Sequence, residues 1–149
     1  MLNPSTADAT TDDATVLQCK AFAVRWGFAK LRVVNLWPIR ATDPAQLATW
    51  DWRADRGHLA ENDHVIRDEI TRSRAVVFAW GANAAKVTAP WPSPLRDLAR
   101  SLPNVPLCLG TNRDGSPKHP LYLKLTTQPR VWDSGAHAAF GAAQWTDDL

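Results

Sequence analysis

Ala75-Val76-Val77-Phe78-Ala79-Trp80-Gly81 is the stretch whose reading decides the fold class. Six apolar residues in a row, closed by a glycine, suit a strand buried on both faces, and that is how strands of a parallel sheet read. On its N-terminal side lies Leu31-Arg32-Val33-Val34-Asn35, short, β-branched and bounded by Pro38, a second strand. On its C-terminal side Pro106 to Gly110 is a third. Helical segments alternate with these. Asp12 and Asp13 suit a helix start, Val16, Leu17, Ala21 and Phe22 recur at helical spacing, and Gly27 suits the stop. Asp43 to Trp52 reads as a helical turn or short helix. Asp51 to His64 is polar, contains a glycine and reads as a surface loop. Asn62 or Asp63 would then cap a helix carrying Val65, Ile66, Glu69 and Ile70. Ser93-Pro94 is a cap followed by a first-turn proline, ahead of Leu95, Leu98, Ala99 and Leu102 on one face. Leu121 to Leu125 is a strand or the start of a helix, and the Ala/Gly-rich segment of roughly the last 20 residues is expected to pack loosely. The pattern predicts one α/β domain over residues 1–149, three layers deep (α/β/α), with a short, mostly parallel central sheet and its site at the carboxyl ends of the strands.

Composition narrows the functions available. With 45% apolar and 21% charged residues, the 149-residue chain can fill a core, and wholesale disorder is excluded. Seventeen basic against fifteen acidic residues leave a net charge of +2, so a nucleic acid would have to be met by a local basic patch. No apolar run approaches the roughly 18–20 residues of a membrane span, and the polar, acidic opening MLNPSTADATTDD is not a signal peptide. Cys19 and Cys108 form no CxxC, and there is no HExxH, so no metal or cofactor is expected. Two scattered thiols without an export signal suit a reducing, cytoplasmic setting. Eight tryptophans are enough to line a pocket or surface as well as a core.

Four polar constellations fall at the expected strand ends. Asn3-Pro4-Ser5-Thr6-Ala7-Asp8 gathers an amide, two hydroxyls and a carboxylate around a rigid proline; it can hold water and a polar ligand, or be only a capped turn. A loop of this kind leaves the end of a strand, and almost nothing precedes it, so either an N-terminal strand is lacking or a true start lies upstream. Asn35 can match a nucleobase edge with one donor and one acceptor, or bond local backbone. In Trp80-Gly81 the ring offers a stacking face and the glycine a close backbone approach; core packing plus a turn is the commoner use. Gly110 to Pro120 could touch phosphates through Arg113 and Lys118 and set His119 beside developing negative charge; the alternative is a solvated loop. His58, His64 and His137 read as surface residues, and no serine or cysteine has a nucleophile's setting.

Taken in order, LNPSTAD, VVNLWPIRATDP, AVVFAWGANA and LGTNRDGSPKHPLYL resemble a small bacterial and phage domain family of unknown function, over roughly residues 2–125. More distantly, the same order is similar to the uracil-DNA glycosylase superfamily. There a water-positioning loop (G-x-N-P-G or G-Q-D-P) is followed by an Asn-bearing strand end (T-N-V-V-K-C-R-P), a strand ending L-x-G-x-x-A and an H-P-S loop. The resemblance implies that Asn3 positions water, with Pro4, Ser5, Thr6 and Asp8 around the substrate, and that Asn35 reads the base. It further implies that Trp80 and Gly81 form the strand-end pair, that His119 stabilises charge on the departing base, and that Leu121 or Tyr122 supplies a wedge into the duplex. The first strand and its leading glycine are missing here, Leu121 replaces the serine of H-P-S, the aromatic that closes a uracil pocket is not evident, and the iron–sulfur cysteines are absent. Members of that superfamily also occur in phage base-modification and anti-phage settings. The expectation is therefore a monomeric, membrane-free DNA glycosylase that removes a modified pyrimidine flipped out of duplex DNA. The alternative is a non-catalytic module that binds a nucleotide or modified base.

Overall fold

The computed structural model describes residues 1–4, 12–41, 44–87, 95 and 106–132. Helix α1 spans Ala14–Arg25. Asp13 is extended, and its carboxylate accepts the Val16 amide at 2.7 Å, so the cap is the one the sequence indicates. At the other end Gly27 takes φ +77°, its N–H bonds the Val24 carbonyl at 3.0 Å, and the Phe28 N–H bonds Ala23 at 2.9 Å. That pair of bonds is the Schellman stop that a glycine makes possible.

Helix α2 covers Pro44–Thr49 and buries Leu47. Helix α3 runs over Arg56–Arg72, so the expected surface loop up to His64 is mostly helix, and neither Asn62 nor Asp63 is a cap. The reason is visible in the burial. Arg56, Gly57, His58, Ala60, Glu61 and His64 face solvent, leaving these turns with no apolar stripe to betray the helix. Asn62 instead reaches across the fold, and its Nδ2 donates to the Asn35 and Leu36 carbonyls at 3.1 and 3.0 Å.

The sheet has three short strands, β1 (Val77–Phe78), β2 (Leu107–Cys108) and β3 (Arg130–Val131), in the order β1-β2-β3. β1 and β2 are parallel, with Val77 opposite Leu107, while β3 is antiparallel to β2. The fold is thus mixed α/β, and the sheet is mixed rather than mostly parallel. Chain reversal explains the difference: no helical crossover separates β2 from β3, and only such a crossover returns a chain parallel. Residues 121–125 open with a 3₁₀ turn, Pro120–Tyr122, rather than a strand.

Leu31 to Asn35 carries no ladder assignment, contrary to expectation. A strand exists only where a neighbour completes its hydrogen bonds, and here the neighbour is two residues long. The Met1 ammonium donates to the Val34 carbonyl at 2.8 Å, the Leu36 N–H to Met1 at 3.0 Å and the Trp37 N–H to Leu2 at 3.1 Å. The core gathers at this seam: Leu2, Leu36, Trp37, Leu47, Phe78, Trp80, Ala84, Val87 and Leu95 form one buried cluster. Trp132 packs edge-on to Phe78 and Trp80 at 5.2 and 5.7 Å. The helix expected over 93–102 lies outside the described residues except for Leu95, as do residues 133–149. Among the described residues no helix is long and apolar enough to cross a membrane.

Trp37 is fully buried in this cluster and Val24 is 76% exposed. Trp37→Ala should therefore cost about 3–5 kcal/mol in urea unfolding, whereas Val24→Ala should stay within about 0.5 kcal/mol.

Candidate functional site

The candidate site is built at the ends of these segments. After Leu2 the chain reaches Asn3, whose Nδ2 donates to the Ala41 carbonyl at 2.7 Å and to the Pro4 carbonyl at 3.0 Å. Two carbonyl partners dictate which way the amide points and leave Oδ1 as its acceptor. Pro4 is half-buried; Ser5, Thr6 and Asp8 lie outside the described residues. Asn35 is half-buried, and its own carbonyl is held by Asn62. With Met1, Trp80 and Pro120 it lines one cavity of about 510 Å³.

The next strand ends at Trp80-Gly81. Trp80 is a core residue, 3% exposed, with ring contacts to Phe78 at 4.7 Å and to Trp132. The stacking face expected of it is committed to the interior, where it also borders the cavity. Gly81 does what only glycine can at this place. Its φ is +77°, its N–H bonds the Pro117 carbonyl at 2.9 Å, and a Cβ there would stand 3.2 Å from the His119 Cβ.

The loop from Gly110 to His119 is tied rather than merely solvated. Asp114 Oδ1 accepts both the N–H and the hydroxyl of Ser116, at 3.0 and 2.7 Å, and Asn112 Nδ2 reaches the same hydroxyl at 2.9 Å. Ser116 is 2% exposed. The Lys118 N–H closes the loop onto the Gly110 carbonyl at 2.8 Å. His119 comes next in the chain, and Pro120 then starts the 3₁₀ turn. Gln18 of α1 fastens the far side of that turn by donating to the Leu123 carbonyl at 2.7 Å.

His119 is therefore held from several directions. Its Nδ1 accepts the Leu121 N–H over a long 3.4 Å bond, which puts the proton of the neutral ring on Nε2. Burial lowers its pKa below the ordinary histidine value; the Met1 ammonium adds to the shift and Asp13 opposes it. The ring is neutral at physiological pH and offers Nε2–H as a donor.

Beside it Tyr122 is 90% exposed while Leu121 is half-buried, so of the two wedge candidates Tyr122 is the one that projects. Arg113 and Lys118 are exposed on the same loop. Sequence reading missed Arg130, which arrives from β3, a strand with no apolar pattern to announce it. Its Nη2 donates to Thr111 Oγ1 at 3.3 Å and lies, with the Lys118 side chain, within 4 Å of the point where a Gly110 Cβ would stand. His58 is exposed as expected, but it has a partner: its Nδ1 is 2.7 Å from Asp55. His137 is outside the described residues.

The structure thus brings Gly81 into contact with His119, and brings Asn35 and Trp80 to one cavity with the proline next to His119. Asn3 stands one residue beyond the stitched Met1–Leu2 pair and does not line that cavity. Among the described residues no three His, Cys, Asp or Glu side chains gather as a metal would require.

The family model described as "Protein of unknown function (DUF1643)" matches residues 1–121, and the chain belongs to that family. No curated protein and no solved structure matches it.

NMR titration of the His119 ring should give a midpoint below the usual 6.5. Because the folded state disfavours the proton, the unfolded chain binds more protons between the two pKa values. The resulting stability is present above about pH 6.5 and fades as pH falls through the folded-state value. His119→Gln should remove that part of the pH dependence. Gly81→Ala, strained in φ and crowding His119, should cost about 1–3 kcal/mol and shift the His119 ring resonances.

Proposed function

We propose that this member of the DUF1643 family is a DNA glycosylase-like enzyme of the uracil-DNA glycosylase type. It hydrolyses the N-glycosidic bond of a non-standard base in DNA, a modified pyrimidine of phage type, and leaves an abasic site. The observation that carries the reading is His119: a neutral imidazole with Nδ1 engaged and Nε2–H without an acceptor among the described residues, fixed against a strand-end glycine, next to an exposed aromatic and a basic loop.

The chemistry rests on what such a group can do. The C1′–N bond breaks with its electron pair going to the base, and an oxocarbenium-like sugar remains beside the DNA's own phosphates. A preorganised donor aimed at the oxygen or nitrogen where charge develops is worth more than the same donor in water. A histidine kept neutral by its surroundings is the electrophile suited to that task. Water then bonds to C1′ and releases its proton to solvent. Asn3 has no basic nitrogen or carboxylate; its Oδ1 can orient the water but not deprotonate it. Rate must then come from stabilising the leaving group, and this suits a base already weakened by modification. Asn35, at the cavity, can read the base edge.

Extruding a base costs a few kcal/mol. In this reading the exposed Tyr122 fills the vacated stack, and Arg113, Lys118 and Arg130 hold the phosphates on either side. The reaction needs no protein nucleophile, in keeping with a sequence in which no serine or cysteine has a nucleophile's motif.

The test is an abasic-site assay on a panel of uracil, hydroxymethylated and glucosylated duplexes and on genomic DNA from phages with different base modifications. Cleavage of one modified substrate is expected, with His119→Ala slowing it about 10²–10³-fold and Asn3→Ala also slowing it. Tyr122→Ala should fall most on fully paired duplex. Lys118→Ala or Arg130→Ala should each lower the slope of log K against log salt by about 1. Intact DNA throughout would sink the enzymatic reading, and ligand-induced stabilisation without product would favour a modified-base binding module.

A further inference from the structure

Helix α3 overtops the segment it covers. Late in the helix Glu69 lies 3.7 Å from the Arg32 guanidinium, and earlier Asn62 bonds the Asn35 and Leu36 carbonyls. The helix therefore runs against residues 31–36, and its first turns continue past Asn35. Arg56, where α3 starts, is six residues ahead of Asn62, about 9 Å along the axis at helix rise. The result is a shoulder that stands beyond the end of residues 31–36, the end at which Asn35 meets the cavity.

The shoulder carries two guanidinium groups over one ring. Trp52 packs part of its surface on the core cluster, and the Cζ atoms of Arg53 and Arg56 stand 4.5 and 5.8 Å from its ring centroid. Both arginines are exposed. Contact with the ring orders a guanidinium without using its N–H donors. Neither arginine has a carboxylate partner among the described residues, whereas Arg32 meets Glu69 and Arg72 meets Asp68. The carboxylates nearest in sequence are engaged elsewhere. Asp51 accepts the Arg53 backbone N–H at 3.1 Å, and Asp55 accepts the Trp50 indole N–H at 3.0 Å and lies 2.7 Å from His58 Nδ1. Two like charges thus share one ring with no internal anion bonded to either.

We propose that Arg53 and Arg56, ordered over Trp52, form a phosphate-binding site that grips the DNA backbone beside the base pocket. The inference rests on the DNA reading of the site and adds a contact surface to it. The Gly110–His119 loop reaches the strand end at Gly81 from β2; the shoulder reaches the site from α3, over Asn35. A DNA strand laid across the pocket then meets cations from both elements. A planar guanidinium takes a phosphate through two parallel N–H bonds, and one already ordered by a ring loses less freedom in doing so. Trp52 is itself partly buried, so the contact is to phosphates and carries no base preference. The shoulder supplies affinity and register, while discrimination stays with Asn35.

The experiment measures binding of a fluorescent, unmodified duplex by the full chain across a salt series, so it needs neither turnover nor the identity of the base. The double variant Arg53→Gln, Arg56→Gln should bind at least fivefold more weakly and lower the slope of log K against log salt by about 2. Arg53→Lys with Arg56→Lys should restore the slope, which separates charge from packing on Trp52. Arg25→Gln, an exposed cation at the end of α1, should leave the slope unchanged. Both substituted sites are on the surface, so Tm should move by less than about 3 °C. Duplex binding whose slope is the same in the double variant overturns this site and leaves the DNA reading standing. Absence of duplex binding by the unaltered chain sinks both. Poly-glutamate binding that the double variant loses while duplex binding persists would assign the shoulder to an acidic protein and overturn the proposal equally.

Discussion

One backbone hydrogen bond holds the candidate site together, from the Gly81 N–H to the Pro117 carbonyl. It joins the end of β1 to a loop whose own partner strand is β2, and it can form only because residue 81 tolerates a positive φ. The same glycine leaves just enough room for His119 to lie against it. The chemical character of the imidazole depends on this contact: its depth, its depressed pKa and the engagement of one ring nitrogen. The loop is stiffened from the other side by the Asp114–Ser116–Asn112 cluster and by α1 through Gln18. A fixed donor is useful in catalysis because its orientation costs nothing at the moment of reaction.

Much of this was legible in the residues themselves. Asp13 and Gly27 bound α1 as capping chemistry demands, and the apolar run ending at Gly81 and the short run at Pro106–Gly110 are the two parallel strands. The misreadings have identifiable reasons. The first two turns of α3 bring a single large apolar residue, Leu59, to the core, so no period marked them. Leu31–Asn35 has every strand propensity, but propensity makes no ladder without a neighbour. β3 is two exposed residues, Arg130 and Val131, whose partner is chosen by the preceding loop and not by their own pattern.

At the site, residue types were readable and their commitments were not. Trp80 has a stacking face, yet Phe78 and Trp132 claim it, because residues two apart on a strand share a face. Leu121 and Tyr122 are interchangeable as wedges on paper; the 3₁₀ turn alone separates them, burying one and projecting the other. Arg130 lies far along the chain from Lys118 and beside it in space, as β3 requires.

The two carbonyls that grip Asn3 have a consequence for how this loop can vary. Ala41 and Pro4 both present oxygen to Nδ2, so an aspartate in its place would set three oxygens against one another with no proton to share near neutrality. Asparagine and aspartate are nearly the same shape, but they are not exchangeable here: the pocket is wired for an amide. A relative with a carboxylate at this position would have to re-route the chain near Ala41, and the two kinds of loop would then differ in backbone path as well as in one atom.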